Sequence, residues 1–215
     1  MTDAVQTKGT SRRRWGIAGS VVATMTALTV AFAATPASAA DLSSGHIDFV
    51  SVAANGSQLK LGSNYEDTGW VAPSAYTLDV KSTSGASGTG YILPESSEEA
   101  TARGVPFAGF AGDEDLRDVG FVEGDNVTVK LDSVTYAPAA GESGTGTVNI
   151  SQDGTAWFTN SAKTHTFVVE GDEGEAFHEH AKWAFSKAGT YTLTFSANAK
   201  GKTAGSATYT VKAGA

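Results

Sequence analysis

Four histidines carry the clearest claim to chemistry in this sequence: His46, His165, His178 and His180. The tightest spacing is His178-Glu179-His180. In an extended strand, side chains at i and i+2 leave the same face, about 6–7 Å apart along the chain. Two imidazoles presented in that way can close on one ion through Zn–N bonds of about 2.0–2.1 Å. The flanking phase agrees. Phe177, Ala181, Trp183 and Phe185 fall on one face, and His178, His180 and Lys182 fall on the other. The pair is therefore offered to an ion and not packed into a core.

A His-x-His alone is weak grounds for a metal site, and a third ligand strengthens it. Two other histidines can supply one. His46 stands in Gly45-His46-Ile47-Asp48, and His165 in Lys163-Thr164-His165-Thr166, just before the strand that leads into the pair. Antiparallel pairing can bring either alongside. The expected set is His46, His178 and His180, with His165 as a fourth ligand or an outer partner. An all-nitrogen set suits Zn2+ best, ahead of Cu2+, Ni2+ and Mn2+. The bland alternative is that the histidines are ordinary polar strand positions.

Other chemistries lack their residues. There is no cysteine, so disulfides, thiolate metal sites and a Cys nucleophile are excluded. No Gly-x-Ser-x-Gly elbow and no His-Glu-x-x-His occurs, and no enzyme activity is expected. The acidic runs Asp113-Glu114-Asp115 and Asp172-Glu173-Gly174-Glu175 read as solvated loop charge. The formal net charge of −8 leaves no basic stripe for nucleic acid.

The elements that must position the histidines are strands. Alternation of apolar and polar residues marks His46–Val50, Tyr76–Val80, Asn126–Asp132 and Tyr191–Phe195 most clearly, with shorter runs at Thr145–Ile150, Ala156–Thr159, Thr166–Val169 and Ser206–Val211. Period two with Val, Thr, Tyr and Phe means half-buried strands. Turn signals such as Ala54-Asn55-Gly56 and Gln152-Asp153-Gly154 separate them. The expectation is an all-β, antiparallel β-sandwich of immunoglobulin-like or jelly-roll-like type, with Trp183, Phe185, Tyr191, Leu193 and Phe195 in its core. Tyr191, two residues after Gly189, is a candidate tyrosine corner. Ser96 with Glu99 three residues on marks a helical turn or two. From there to about Gly120 the chain reads as an irregular crossing between sheets, and Ser84–Gly90 as a flexible loop by composition.

Residues 1–40 read as a secretory signal peptide. Lys8, Arg12, Arg13 and Arg14 precede an apolar run from Trp15 to Ala34, which ends in Ala37-Ser38-Ala39. Cleavage after Ala39 or Ala40 would release residues 41–215 as a single β-sandwich domain. The rival is an uncleaved membrane anchor. Both the general and the twin-arginine export routes fit the basic cluster. The leader holds four basic residues and one acidic one, which leaves 11 Lys and Arg against 22 Asp and Glu, a formal −11. No second apolar span follows, so the expected location is extracellular, secreted or associated with the cell surface, with no stable membrane span in the mature protein.

The segment His165–Ala199 resembles the actinobacterial surface-anchored protein domain, also called the choice-of-anchor M domain. The likeness rests on His178-Glu179-His180, Trp183-Ala184-Phe185 and Gly189-Thr190-Tyr191-Thr192-Leu193. Gly45-His46-Ile47-Asp48 and the Pro/Phe/Gly segment Val105–Gly112 are similar to the family's opening and centre. The resemblance implies a surface protein that assists an ABC-type transporter in acquiring a divalent metal. The alternative from a different class is a metal-free structural or adhesive module that binds glycan or protein through exposed aromatics such as Tyr65, Trp70 or Trp157.

Overall fold

Alternation in the sequence becomes strand after strand. The computed structural model describes residues 39–66, 69–160, 163–171 and 174–214. The strands in chain order are β1 (Ala40–Leu42), β2 (His46–Asn55), β3 (Gln58–Tyr65), β4 (Trp70–Val71), β5 (Tyr76–Val80), β6 (Ser82–Gly85), β7 (Gly88–Leu93) and β8 (Phe107–Gly112). They continue as β9 (Asn126–Pro138), β10 (Val148–Gln152), β11 (Thr155–Thr159), β12 (Thr164–Val168), β13 (Phe177–His180), β14 (Lys182–Phe185), β15 (Gly189–Ala199) and β16 (Lys202–Ala213). The helices among the described residues are α1 (Ser97–Arg103), α2 (Asp115–Asp118) and one 3-10 turn, Pro73–Ala75. Of the expected leader, residues 1–40, the first 38 lie outside the described residues, and Ala40 already pairs with Tyr76 in β1. None of the described helices is long and apolar enough to cross a membrane.

The strands form three sheets in a sandwich-like arrangement. Their orders are β1-β5-β16-β15-β9-β12, β11-β10-β14-β7-β6 and β13-β8-β2-β3-β4. Antiparallel pairing dominates, as expected, but β1 with β5, β5 with β16 and β2 with β8 run parallel. An aromatic core joins the sheets. Phe110 of β8 stacks on Trp183 of β14 at 5.1 Å and meets Phe195 of β15 edge-on at 6.0 Å. Phe49 of β2 meets Tyr209 of β16 at 5.2 Å, and the Tyr209 hydroxyl donates to the Gly62 carbonyl of β3 at 3.0 Å. Trp183, Phe185, Tyr191, Leu193 and Phe195 are all buried. The Tyr191 hydroxyl donates to the Lys187 carbonyl at 3.0 Å and accepts from the Lys187 N–H at 3.1 Å, which is the expected tyrosine corner.

Two segments differ from the sequence reading. Ser84–Gly90 is not a flexible loop but most of the β6–β7 hairpin, with Ser84 opposite Thr89 and Gly85 opposite Gly88. Helix α1 orders it. Ser96 caps the helix by accepting from the Glu99 N–H, and left-handed Gly104 ends it. Glu99 turns to the hairpin, accepting from the Ser87 N–H at 2.8 Å and the Ser87 hydroxyl at 2.6 Å. Buried Arg103 donates to the Gly88 carbonyl at 2.6 Å and to Thr83 Oγ1 at 3.0 Å. Composition missed this because the partners that satisfy the polar loop come from another element. The second difference is Phe107–Gly112. It is a strand, β8, lying between β2 and β13.

Candidate metal centre

The site is built on one face of β13, β8 and β2. Register fixes who faces whom. His180 pairs with Gly109 and His178 with Ala111 across β13–β8. His46 pairs with Phe107 and Asp48 with Gly109 across β2–β8. Because i and i+2 share a face, His46, Asp48, His178 and His180 all rise from the same side. Between them, the central strand offers only the small residues Gly109 and Ala111 beside Phe107. Adjacent strands stand about 4.8 Å apart, so the outer side chains lean inward over this low strip and meet above it. The ladder slips just after Asp48, in both of the β2 pairings. A bulge at that place ends regular pairing next to the site.

Gly109 is there because nothing larger fits. A Cβ on it would stand 2.8 Å from His180 Cε1 and 2.9 Å from His180 Nδ1. Phe107 supports the same ring, stacked flat at 3.5 Å between centroids and 7° between planes.

The four side chains converge at their tips. His46 Nε2 lies 3.2 Å from His178 Nε2 and 3.1 Å from His180 Nε2, and the last two are 3.0 Å apart. Asp48 Oδ1 stands 2.9 Å from His178 Nε2 and 3.4 Å from His46 Nε2. One donor atom from each residue falls within 4.8 Å of all the others. Donors around four-coordinate zinc with 2.0–2.1 Å bonds stand about 3.3–3.4 Å apart, so the described spacings match a cage for one ion. Three neutral imidazole nitrogens aimed at one point put lone pair against lone pair; a shared cation or proton is what makes the arrangement favourable.

Asp48 gives the independent test of fit. It is 1% exposed, and neither carboxylate oxygen has a hydrogen-bond donor of good geometry. A buried carboxylate left in that state costs several kcal/mol unless a cation compensates it. The compensating charge lies among the imidazoles. Burial alone would raise the Asp48 pKa, but His178 and His46 beside it hold the carboxyl well below its usual range. The same contact raises His178 to about 10, with Asp48 as the main cause and Glu175 as the second. His180 is pushed down to about 4, by burial first and then by the charge of its two neighbours. Without metal, His178 is thus an imidazolium and His180 is neutral. A divalent cation would take the place of that proton.

The centre reaches solvent through His46 and His178, whose side chains are 29% and 36% exposed. A cavity of about 330 Å3 opens beside His46, toward Thr101 and Gly104 of the α1 end.

Of the four histidines singled out in the sequence, the structure brings together His46, His178 and His180. His165 does not join them. It sits on β12, paired with β9 in the six-stranded sheet, and its ring stacks on Trp157 at 4.2 Å and 19°. Burial lowers its pKa. The fourth donor is a carboxylate that sequence reasoning passed over, Asp48. Its signal was present: His46-Ile47-Asp48 carries the same i, i+2 spacing as His178-Glu179-His180.

No protein-family model matches this chain, and no curated protein or solved structure matches it either.

Proposed function

We propose that this protein binds one zinc ion outside the cell and assists its acquisition by an ABC-type metal transporter. The convergence of three imidazole Nε2 atoms within 3.2 Å of one another, over a buried carboxylate, carries the metal-binding part. Three nitrogens and one oxygen suit zinc. With four protein donors the coordination shell is already full, whereas catalytic zinc sites keep a position open for water or substrate. The role proposed is thus binding and not catalysis. Delivery outside the cell rests on the leader-like residues 1–40, and the transporter on the resemblance to the choice-of-anchor M domain. The adhesive reading loses one of its aromatics, since Trp157 is buried.

The test is elemental analysis and thermal melting of tag-free protein. Zinc at 1,000 times its dissociation constant adds about 4 kcal/mol, which is about 8–16 °C in Tm for a domain of this size. The double change His178→Ala with His180→Ala should abolish both bound metal and shift. An unmutated protein with neither would end the metal reading. Loss of the gene in the source organism should slow growth under zinc chelation, and the double variant should fail to restore it.

A further inference from the structure

The three imidazoles of the centre are not held in the same way. Phe107 lies flat against the His180 ring, and Gly109 gives that ring its room. His46 enters its strand through a backbone N–H that donates to Glu66 Oε1 at 3.0 Å. His178 is the most exposed of the ligand set; its Nε2 meets Asp48, and its ring-to-ring contacts among the described residues are with the other two histidines. What fixes it is a carboxylate on its far side. Glu175 Oε2 stands 2.8 Å from His178 Nδ1.

Glu175 is itself pinned. Arg117 of α2 donates through Nη1 to the Glu170 carbonyl at 2.9 Å and through Nη2 to the Glu175 carbonyl at 3.2 Å, with Nε 3.5 Å from the Gly174 carbonyl. Helix α2 begins three residues after β8, the strand beneath the metal donors. One guanidinium thereby ties the backbone on both sides of the approach to β13 to the framework of the site. Isolated from this setting, Glu175 is one more acid in an acidic loop.

We infer that Glu175 is an outer-sphere positioning residue of the metal centre and that Arg117 is the clamp that holds it in place. This rests on the metal-binding reading above. A carboxylate accepting from Nδ1–H fixes which proton leaves when the metal binds: the one on Nδ1 stays, and the bared Nε2 lone pair faces His46, His180 and Asp48. It also makes Nε2 a better donor and stops rotation of an exposed ring. Outer partners of this type are worth about 10–100-fold in metal affinity.

The experiment measures zinc affinity by competition with a chromophoric chelator, for the unmutated mature chain and for Glu175→Ala, Glu175→Gln and Arg117→Ala. Glu175→Ala should bind about 10–100-fold more weakly, while the metal-free chain stays folded with a lower Tm from the lost Glu175–His178 contact. Glu175→Gln keeps an acceptor oxygen and should recover most of the loss. Arg117→Ala should weaken binding in the same direction. The Co2+-loaded visible spectrum should change in Glu175→Ala and be largely restored in Glu175→Gln, which a merely structural role would not produce. Long-range 1H–15N NMR on the zinc-loaded unmutated chain needs no variant, and should show His178 protonated at Nδ1 and metallated at Nε2. Metallation at Nδ1, or a Glu175→Ala variant that binds as tightly as the unmutated chain, overturns the inference and leaves the metal reading standing. An unmutated chain that binds no zinc overturns both.

Discussion

Adding one methyl group at Gly109 should damage the centre without replacing a ligand. In a strand interior, Gly→Ala ordinarily helps by about 0.5–1 kcal/mol, because glycine loses more backbone freedom on folding. Here the sign should reverse. The new Cβ would lie 2.8 Å from His180 Cε1 and 2.9 Å from both His180 Nδ1 and the Glu179 carbonyl oxygen. Contacts so short must be relieved, and neither neighbour has an easy way out. The carbonyl belongs to the β13 backbone, which pairs with β8 through Gly109 itself. The imidazole is backed by Phe107 at 3.5 Å. Overpacking of this kind costs about 1–3 kcal/mol, or roughly 2–12 °C in Tm for a domain of this size.

The larger effect should fall on zinc. Turning the His180 ring away removes one of four donors, so the loss should exceed the roughly 10–100-fold that follows from losing only an outer partner. Gly205→Ala is the control. Gly205 lies in β16 with nothing within 4 Å of an added Cβ and no left-handed backbone, so it should be neutral or slightly stabilising, with unchanged zinc affinity. Melting curves with and without zinc, plus a competition titration, read both effects. A Gly109→Ala protein that gains stability and binds zinc normally would refute the packing of β8 beneath the histidines.

Two further outcomes follow from the site. His178 holds its proton to about 10 when folded, against about 6.5 when unfolded. That proton therefore adds stability to the metal-free protein below about 6.5, and the gain is lost as pH rises through about 10. Zinc needs the nitrogen bare, so binding near pH 7.5 should release about one proton and tighten as pH rises; calorimetry in buffers of different ionisation enthalpy reads the number, and zero protons would contradict the imidazolium at His178. His165→Ala should leave zinc affinity unchanged and cost about 0.5–1.5 kcal/mol through the lost stack on Trp157, and a variant that lost zinc binding would place His165 in the centre after all.

The difference between what the sequence disclosed and what it concealed follows the range of the interactions involved. Same-face geometry at i and i+2 is local, so His178 and His180 could be paired from spacing alone, and the core phase of Phe177, Trp183 and Phe185 came with it. Even there, the run breaks at Ala181, and the chain passes from the sheet of β13 to the sheet of β14, which no alternation pattern announces. Asp48 was within reach by the same rule, but its role depended on which strand came to lie two places from β2. That order is non-local. Parallel pairing of β2 with β8 inserts a strand of small residues between the two ligand pairs. In the sequence, Pro106, Gly109 and Gly112 made this stretch look irregular, because glycine is scored as a strand breaker. Its lack of a side chain is the reason His180 and Asp48 can face each other across it. His165 shows the converse. Its residue type was right, but pairing with β9 carried it to another sheet. Residue type proposed the donors, and strand order selected which of them meet.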